Sequence, residues 1–242
     1  MPDAYPLIDV IIPAYNEQDS IAKVIYDIPD FVRNIVVVNN NSSDNTKSIA
    51  FEAGAIVVDE LQRGYGKACL TGIEYIRNLE VQPEIVVFLD GDYSDYPEEM
   101  REVVRPIVEG KADFVIGSRV KGQKEGGSMT FPQIFGNWLA TTLMRWIYSV
   151  DYSDLGPFRA ILWTELLALN MQDQNYGWTI EMQIKAVKHG LKAMEVPVNY
   201  KKRIGVSKIS GTIKGTVMAG YKIIWTIFKE YLIGQTRNLG KE

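Results

Sequence analysis

Glu84-Ile-Val-Val-Phe-Leu-Asp-Gly-Asp92 is the stretch on which the fold turns. Ile85 to Leu89 is an apolar run, rich in β-branched and aromatic residues and too short for a helix, so it reads as a buried strand. Asp90 and Asp92 follow at its end. Residues two apart in extended chain project the same way, so both carboxylates leave the strand on one side. Like charges held that close repel unless a cation lies between them. Mg²⁺ characteristically takes one or two protein carboxylates and fills its shell with water and phosphate oxygens. Alone, Asp-Gly-Asp is also an ordinary turn leaving a strand. Its surroundings decide between the two.

Working outward, short apolar runs alternate with helix-length amphipathic segments. Strands are predicted at Leu7–Ile12, Asn34–Val38, Ala55–Val58, Glu84–Leu89 and Asp113–Gly117. Helices are predicted between them at Glu17–Asp27, Ser43–Ala53, Gly66–Asn78 and Pro97–Glu109. Strict alternation predicts an α/β fold, with a Rossmann-like, predominantly parallel sheet covered by helices on both faces. Such sheets bind ligands outside the carboxyl ends of their strands, at a topological switch point. Four polar clusters fall at those ends: Pro13-Ala-Tyr-Asn-Glu17, Asn39-Asn-Asn-Ser-Ser-Asp44, Arg63-Gly-Tyr-Gly-Lys67 and the Asp-Gly-Asp.

Composition narrows the function classes. The 242 residues are 46% hydrophobic and 23% charged, which is globular and argues against disorder. A net charge of −4 argues against nucleic-acid binding by the whole molecule. One cysteine, Cys69, and one histidine, His189, exclude an internal disulfide and multi-Cys or multi-His metal sites. No secretory signal is seen, and no uncharged run reaches the ~18 residues of a membrane span. The expected location is cytoplasmic, with peripheral attachment to the inner face of the cell membrane left open.

The second half changes character. Val120 to Thr130 is glycine- and lysine-rich and reads as a mobile loop. Phe131–Val150 reads as an aromatic-rich helix whose Trp138 and Trp146 are assigned mainly to the core. Trp178–His189 reads as another helix and Leu191–Val196 as a strand. His189 is expected to be a solvated helix end. Between Val196 and Lys229 there are seven lysines or arginines and no acid.

The motifs Ile11-Ile-Pro-Ala-Tyr-Asn-Glu17, Asn41-Ser-Ser-Asp-Asn-Thr46, Arg63-Gly-Tyr-Gly-Lys-Ala68, Leu89-Asp-Gly-Asp-Tyr-Ser-Asp-Tyr-Pro-Glu98 and Gly117-Ser-Arg119 occur in the order seen in family-two glycosyltransferases of the GT-A fold. Gly156-Pro-Phe-Arg-Ala160, Trp178-Thr-Ile-Glu-Met182 and Arg203-Ile-Gly-Val-Ser-Lys208 resemble the dolichol-phosphate (polyprenyl-phosphate) mannosyltransferase branch. The resemblance covers roughly residues 7–210. It implies a glycosyltransferase domain over 1–210, with a donor half to about 119 and an acceptor half beyond it. Residues 211–242 would then form an amphipathic helix and tail.

The resemblance assigns nucleotide contacts to Pro13, Ala14, Tyr15, Glu17, Asn40 and Gly91, with Arg63 and Lys67 reaching the same region. Asn16 is expected to cap the helix that Glu17 begins. By the same resemblance Asp90 and Asp92 hold Mg²⁺ or Mn²⁺ on the donor diphosphate. Three departures stand out. Asn39-Asn40-Asn41 replaces the usual acidic pair, so an amide oxygen would have to accept from the base. Ser94 replaces a glutamine that sometimes completes the metal site, leaving Ser94 or Asp95 to substitute. Gln133 and Asn137 stand where an acceptor-side arginine is common.

Two acceptor chemistries remain open. A hydroxyl needs a positioned base, for which Asp154, Glu181 and His189 are candidates. A phosphate is already anionic and needs cations instead, for which Arg119, Arg203 and Lys208 are candidates. On Ile213–Ile233, Lys214, Lys222 and Lys229 fall within an arc of roughly 80° beside an apolar surface. That pattern suits a membrane interface or, equally, core or homodimer packing. The expected activity is inverting transfer of a hexose from a nucleotide-diphosphate sugar to polyprenyl phosphate. A hydroxyl acceptor is the first alternative and a non-catalytic nucleotide-binding module the second.

Overall fold

The computed structural model describes residues 6–205 and 213–239. β1 (Ile8–Ala14), β2 (Asn34–Asn39), β3 (Ile56–Asp59), β4 (Ile85–Phe88), β5 (Phe114–Ser118), β6 (Arg159–Leu162) and β7 (Ala193–Pro197) form one sheet, in the order β3-β2-β1-β4-β6-β5-β7. Every neighbouring pair is parallel except those of β6, which runs antiparallel to β4 and β5. The mostly parallel α/β sheet expected from the alternation is present.

β6 and the helix after it were not anticipated. Only four residues long, β6 opens on a charged residue, Arg159, and so lacks the uninterrupted apolar run that marks β4. Its register is set by tertiary pairing, Phe88 opposite Arg159 and Ile85 opposite Leu162.

The period-two rule places the core. Ile11, Val36, Val38, Val86 and Phe88 face one cluster, shared with α3 (Tyr65–Arg77), α5 (Phe131–Tyr148), α6 (Trp163–Leu169) and α7 (Trp178–Lys188). Ile8, Val10, Ile12, Val37, Ile85 and Val87 face the other, against α1 (Ile21–Tyr26) and α4 (Met100–Val108). α2 (Thr46–Glu52) packs beside α1. Each such aliphatic side chain, fully buried, contributes about 1.5–3 kcal/mol of hydrophobic stabilisation. Gly72 of α3 lets the helix close onto β1, since a Cβ there would stand 2.7 Å from Ile11.

α8 (Ile213–Leu239) packs on α5 and α7. Its outer face is apolar: Val217, Met218, Tyr221, Trp225 and Phe228 are exposed. The same holds on α5, where Phe131, Ile134, Phe135, Trp138 and Trp146 are exposed, the last at 76%. The core role expected for Trp138 and Trp146 is therefore corrected. α5 contributes only Ala140, Thr141 and Met144 as fully buried residues, because a sheet face already covered by α3 and α7 leaves room for a narrow stripe. Among the described residues no helix is long and apolar enough to cross a membrane.

Candidate active site

β1 sits between β2 and β4, while the chain runs outward to β3 before returning to β4. The carboxyl ends of β1 and β4 thus flank a switch point, where parallel sheets open a crevice. A cleft of about 360 Å³ lies there, lined by Pro13, Ala14, Tyr15, Glu17 and Asn40, by the Asp90-Gly91-Asp92 turn, and by Arg63 and Arg203.

The β1–α1 turn is held by side chains rather than by a helix cap. Asn16 adopts φ 54°, in the left-handed region, and α1 begins only at Ile21 behind Ser20. This corrects the capping role expected of Asn16. Its carboxamide instead accepts from the Ser43 N–H at 2.8 Å, and the Glu17 N–H donates to Thr46 Oγ1 at 2.8 Å. The loops after β1 and β2 are thereby locked together along one wall of the cleft.

Asn40 lines the cleft but spends its amide on the chain. Its nitrogen donates to the Gln62 carbonyl at 2.8 Å and its oxygen accepts from the Gly64 N–H at 2.8 Å. It shapes the loop carrying Arg63, whose guanidinium lies 4.4 Å from the centre of the Tyr15 ring. Lys67 does not reach the cleft. Its ammonium lies 3.5 Å from Glu60.

The Asp-Gly-Asp turn follows β4 after Leu89. Asp90 Oδ1 is buried with no hydrogen-bond partner, and the nearby Tyr65 hydroxyl favours the charged carboxylate. Burial, and then the charge of Asp92, raises the Asp90 carboxyl to about 7. Asp92 accepts from the Ser94 N–H at 2.9 Å and from its hydroxyl at 2.5 Å. Ser94 therefore orients Asp92 through its hydroxyl. Both oxygens of Asp95 are buried without hydrogen-bond partners, and burial followed by the charge of Asp90 pushes its carboxyl well upward.

Among the described residues no three acids, histidines or cysteines are grouped to hold a metal unaided. A pair of carboxylates with an orphaned buried oxygen nonetheless fits a hard divalent cation that draws its remaining ligands from water and a diphosphate.

Backbone pairing delivers Arg203 to this turn. The Lys201 N–H donates to the Ser94 carbonyl at 2.9 Å and the Ile204 N–H to the Asp92 carbonyl at 3.0 Å. Arg203 then lies 3.0 Å from Asp92 and 3.1 Å from Glu17. Lys208 lies outside the described residues.

A second cleft, of about 280 Å³, shares Tyr65, Asp90, Asp92, Tyr176 and Arg203 with the first. Arg119 and Tyr200 line it, with Gln133, Gly136 and Asn137 of α5 and Ala219, Gly220 and Ile223 of α8. Asp154 is wholly buried, and both its oxygens are taken by Arg119: Oδ2 by the backbone N–H at 2.8 Å and by Nε at 2.9 Å, Oδ1 by Nη2 at 2.7 Å. Burial alone would raise the Asp154 carboxyl, but the guanidinium outweighs it and holds it below the usual range. Asn137 grips the 153–155 segment, donating to the Ser153 carbonyl and accepting from the Leu155 N–H, both at 2.9 Å.

Glu181 lines neither cleft. It is buried and accepts from the Gln172 and Asp173 N–H groups, at 3.0 and 2.7 Å, beside Lys185 at 2.8 Å. His189 is exposed at the end of α7, as expected of a solvated cap. Tyr65, Tyr176 and Tyr200 were not singled out from sequence. Only the position of Tyr65, inside the Arg63–Ala68 motif at the head of a helix, signalled a role.

The family model described as Glycosyl transferase family 2 matches residues 9–163. An uncharacterized glycosyltransferase of Mycobacterium tuberculosis is 31% identical over 220 residues, covering 88% of this chain and 94% of its own. The UDP-N-acetylglucosamine–dolichyl-phosphate N-acetylglucosaminyltransferase of Methanococcus voltae is 29% identical over 245 residues, covering 91% of this chain and 94% of its own. Glucosyl-3-phosphoglycerate synthase of M. tuberculosis, solved with Mn²⁺, UDP and glucosyl-3-phosphoglycerate, superposes with a TM-score of 0.74 at 23% identity, over 93% of this chain and 80% of that one. Sheet order, crevice and acidic turn thus coincide with a matched family model over most of the chain, and the protein belongs to glycosyltransferase family 2, with a GT-A fold.

Proposed function

We propose that the protein is an inverting, Mg²⁺- or Mn²⁺-dependent hexosyltransferase that moves a sugar from a nucleotide-diphosphate donor to a membrane polyprenyl phosphate. The donor occupies the first cleft, between Tyr15 and Arg63 on one side and Asp90-Gly91-Asp92 on the other. When bound at Asp90 and Asp92, the metal offsets the charge growing on the departing diphosphate. An acceptor phosphate oxygen forms the new bond to the anomeric carbon from the opposite face. The bond from that carbon to the diphosphate breaks, and its electron pair leaves with the nucleotide.

The observation that carries the acceptor reading is the furnishing of the second cleft. Arg119 and Arg203 line it, and no acid besides Asp90 and Asp92 is among its described lining residues. Asp154 is consumed by Arg119, and Glu181 supports a loop elsewhere. A hydroxyl acceptor would therefore lack its base, whereas a phosphate would draw on the guanidinium N–H groups of Arg119 and Arg203 that Asp154, Asp92 and Glu17 leave over. The cleft is walled by α5 and α8, whose outer faces carry the exposed aromatics. An apolar face of this kind beside a phosphate site suits a lipid surface. The dolichyl-phosphate acceptor in the name of the M. voltae relative supports the same choice.

The test is transfer of label from UDP-, GDP- and dTDP-hexoses into organic-extractable polyprenyl phosphate, with and without EDTA. Metal-dependent label in the lipid phase is expected. Metal-dependent donor hydrolysis with no lipid label would replace the acceptor by a hydroxyl compound, and nucleotide binding with no turnover would leave only a binding module.

A further inference from the structure

A third, polar cavity of about 260 Å³ lies behind the donor cleft, walled by the 172–175 loop, Glu181 of α7, and Lys222, Thr226, Lys229 and Glu230 of α8. It shares only Asn175 with the donor cleft and no residue with the acceptor cleft. Its side chains instead fix the loop that forms part of the donor cleft. Asp173 Oδ1 accepts from the Asn175 and Gly177 N–H groups, at 2.8 and 3.1 Å. Its other oxygen pairs with the Lys222 ammonium at 2.9 Å. One carboxylate thus binds the loop to itself and to α8.

On its far side the loop is clamped to the turn before α3 and to the first residues of that helix. The Lys67 N–H donates to the Gln174 carbonyl at 2.9 Å, and Gln62 Nε2 reaches Gln174 Oε1 at 3.1 Å. Only glycine permits this approach. A Cβ on Gly64 would stand 2.2 Å from the Gln174 carbonyl oxygen, and one on Gly66 2.0 Å from that of Asp173. Backbone packed that closely has no slack, so a displacement of the loop is passed on. The segments so joined carry Arg63, Tyr65, Asn175 and Tyr176, all lining the donor cleft.

α8 also touches the acceptor cleft. Ala219 and Ile223 line it, three residues before and one residue after Lys222. Gly177 sits tightly between the loop and α8: a Cβ there would stand 2.5 Å from Asp173 Oδ2 and 2.6 Å from Thr226 Oγ1. One helix therefore meets the acceptor with one stripe and the donor loop with the next.

We propose that Lys222 and Asp173 are a positioning pair that couples α8, and with it the occupancy of the acceptor cleft, to the shape of the donor cleft. The inference rests on the two-cleft reading above. Coupling of this kind is reciprocal, so a filled acceptor cleft tightens donor binding and bound donor tightens acceptor binding.

The experiment is calorimetric titration of the full chain with UDP and with GDP, each with Mn²⁺, in buffer and with phospholipid vesicles holding polyprenyl phosphate. Wild type is expected to bind one nucleotide several-fold more tightly with the vesicles. Lys222→Met is expected to bind that nucleotide about fivefold more weakly in buffer, and to lose the response to vesicles. In turnover its donor KM rises while kcat changes little. Lys222→Arg restores both properties, which generic loss of packing would not allow. Should Lys222→Met fail to fold, Asp173→Asn carries the same test, since its carboxamide oxygen keeps the loop N–H contacts and loses only the ion pair. A folded Lys222→Met that matches wild type in both conditions overturns the coupling and leaves the donor site standing. A wild type that binds neither nucleotide with Mn²⁺ overturns the donor reading and the coupling with it.

Discussion

Arg203 Nη1 lies 3.0 Å from Asp92 Oδ2, and its Nη2 lies 3.1 Å from Glu17 Oε1. A guanidinium thus bridges the acidic turn after β4 to the wall after β1, offsetting charge where a divalent cation is proposed to bind. The same arginine lines both clefts.

At the proposed metal site, Arg203 and the cation would compete for Asp92. Arg203→Gln is expected to bind Mn²⁺ several-fold more tightly than wild type when no nucleotide is present, because a competing positive charge is removed. Lipid transfer by the same variant is expected to fall by ten- to a hundredfold. Paramagnetic resonance of free Mn²⁺ measures the first effect. Unchanged metal affinity would show that the bridge does not guard the site.

Asp90→Asn and Asp92→Asn are each expected to lower kcat at least a hundredfold, about 2.7 kcal/mol of transition-state stabilisation. The melting temperature of Asp90→Asn should not fall, since burial already disfavours the charged form of this carboxyl. EDTA should reproduce the loss of activity in wild type and have little further effect on either variant. Full activity in EDTA would remove the metal from the mechanism.

Asp154 separates structure from catalysis. Asp154→Asn leaves the buried Arg119 guanidinium without its charge partner, a change that typically costs about 3–5 kcal/mol. The sign with pH follows from the depressed carboxyl. Its stabilisation is present above the unfolded pKa of about 3.9 and is lost as pH falls through the lower folded value. Thermal melts of wild type should show that acid limb, and melts of the variant should show a shallower one, since Asp44, Asp59 and Glu60 are also held below the usual range. An Asp154→Asn protein of wild-type stability but without activity would instead identify Asp154 as a base.

The exposed aromatics of α5 and α8 give the fourth expectation. Trp225→Glu together with Phe228→Glu should reduce co-sedimentation with anionic vesicles at least tenfold, while metal-dependent donor hydrolysis is retained. If vesicle binding is unchanged and light scattering shows wild type to be a dimer that the variant is not, the face packs against a second copy.

What could be read from sequence was local in origin. A strand alternates its side chains between two faces, so Ile11 against Val10 and Phe88 against Val87 declare the sheet without knowledge of their partners. Asp90 and Asp92 both line the crevice from the turn beyond β4, and parallel strands bring the polar clusters after β1, β2 and β4 to that one crevice. The antiparallel insertion of β6 had no such signal, because four residues headed by Arg159 acquire their register only from β4 and β5.

Charged side chains behave oppositely. Their roles are set by which counter-charge or N–H group the fold brings within hydrogen-bond reach, and sequence spacing carries no record of that. Asp154 and Arg119 are 35 residues apart and Arg203 and Glu17 are 186 apart, yet each pair is in contact. Glu181 and Lys67, both marked by motif, are turned instead toward Lys185 with the 172–173 backbone and toward Glu60. The sequence by itself determined the parallel strands of the sheet, the crevice at their carboxyl ends and the acidic turn within it. Tertiary structure alone decided which of the nearby ions remain available to a ligand, because burying a charge requires a partner and only the folded chain supplies one.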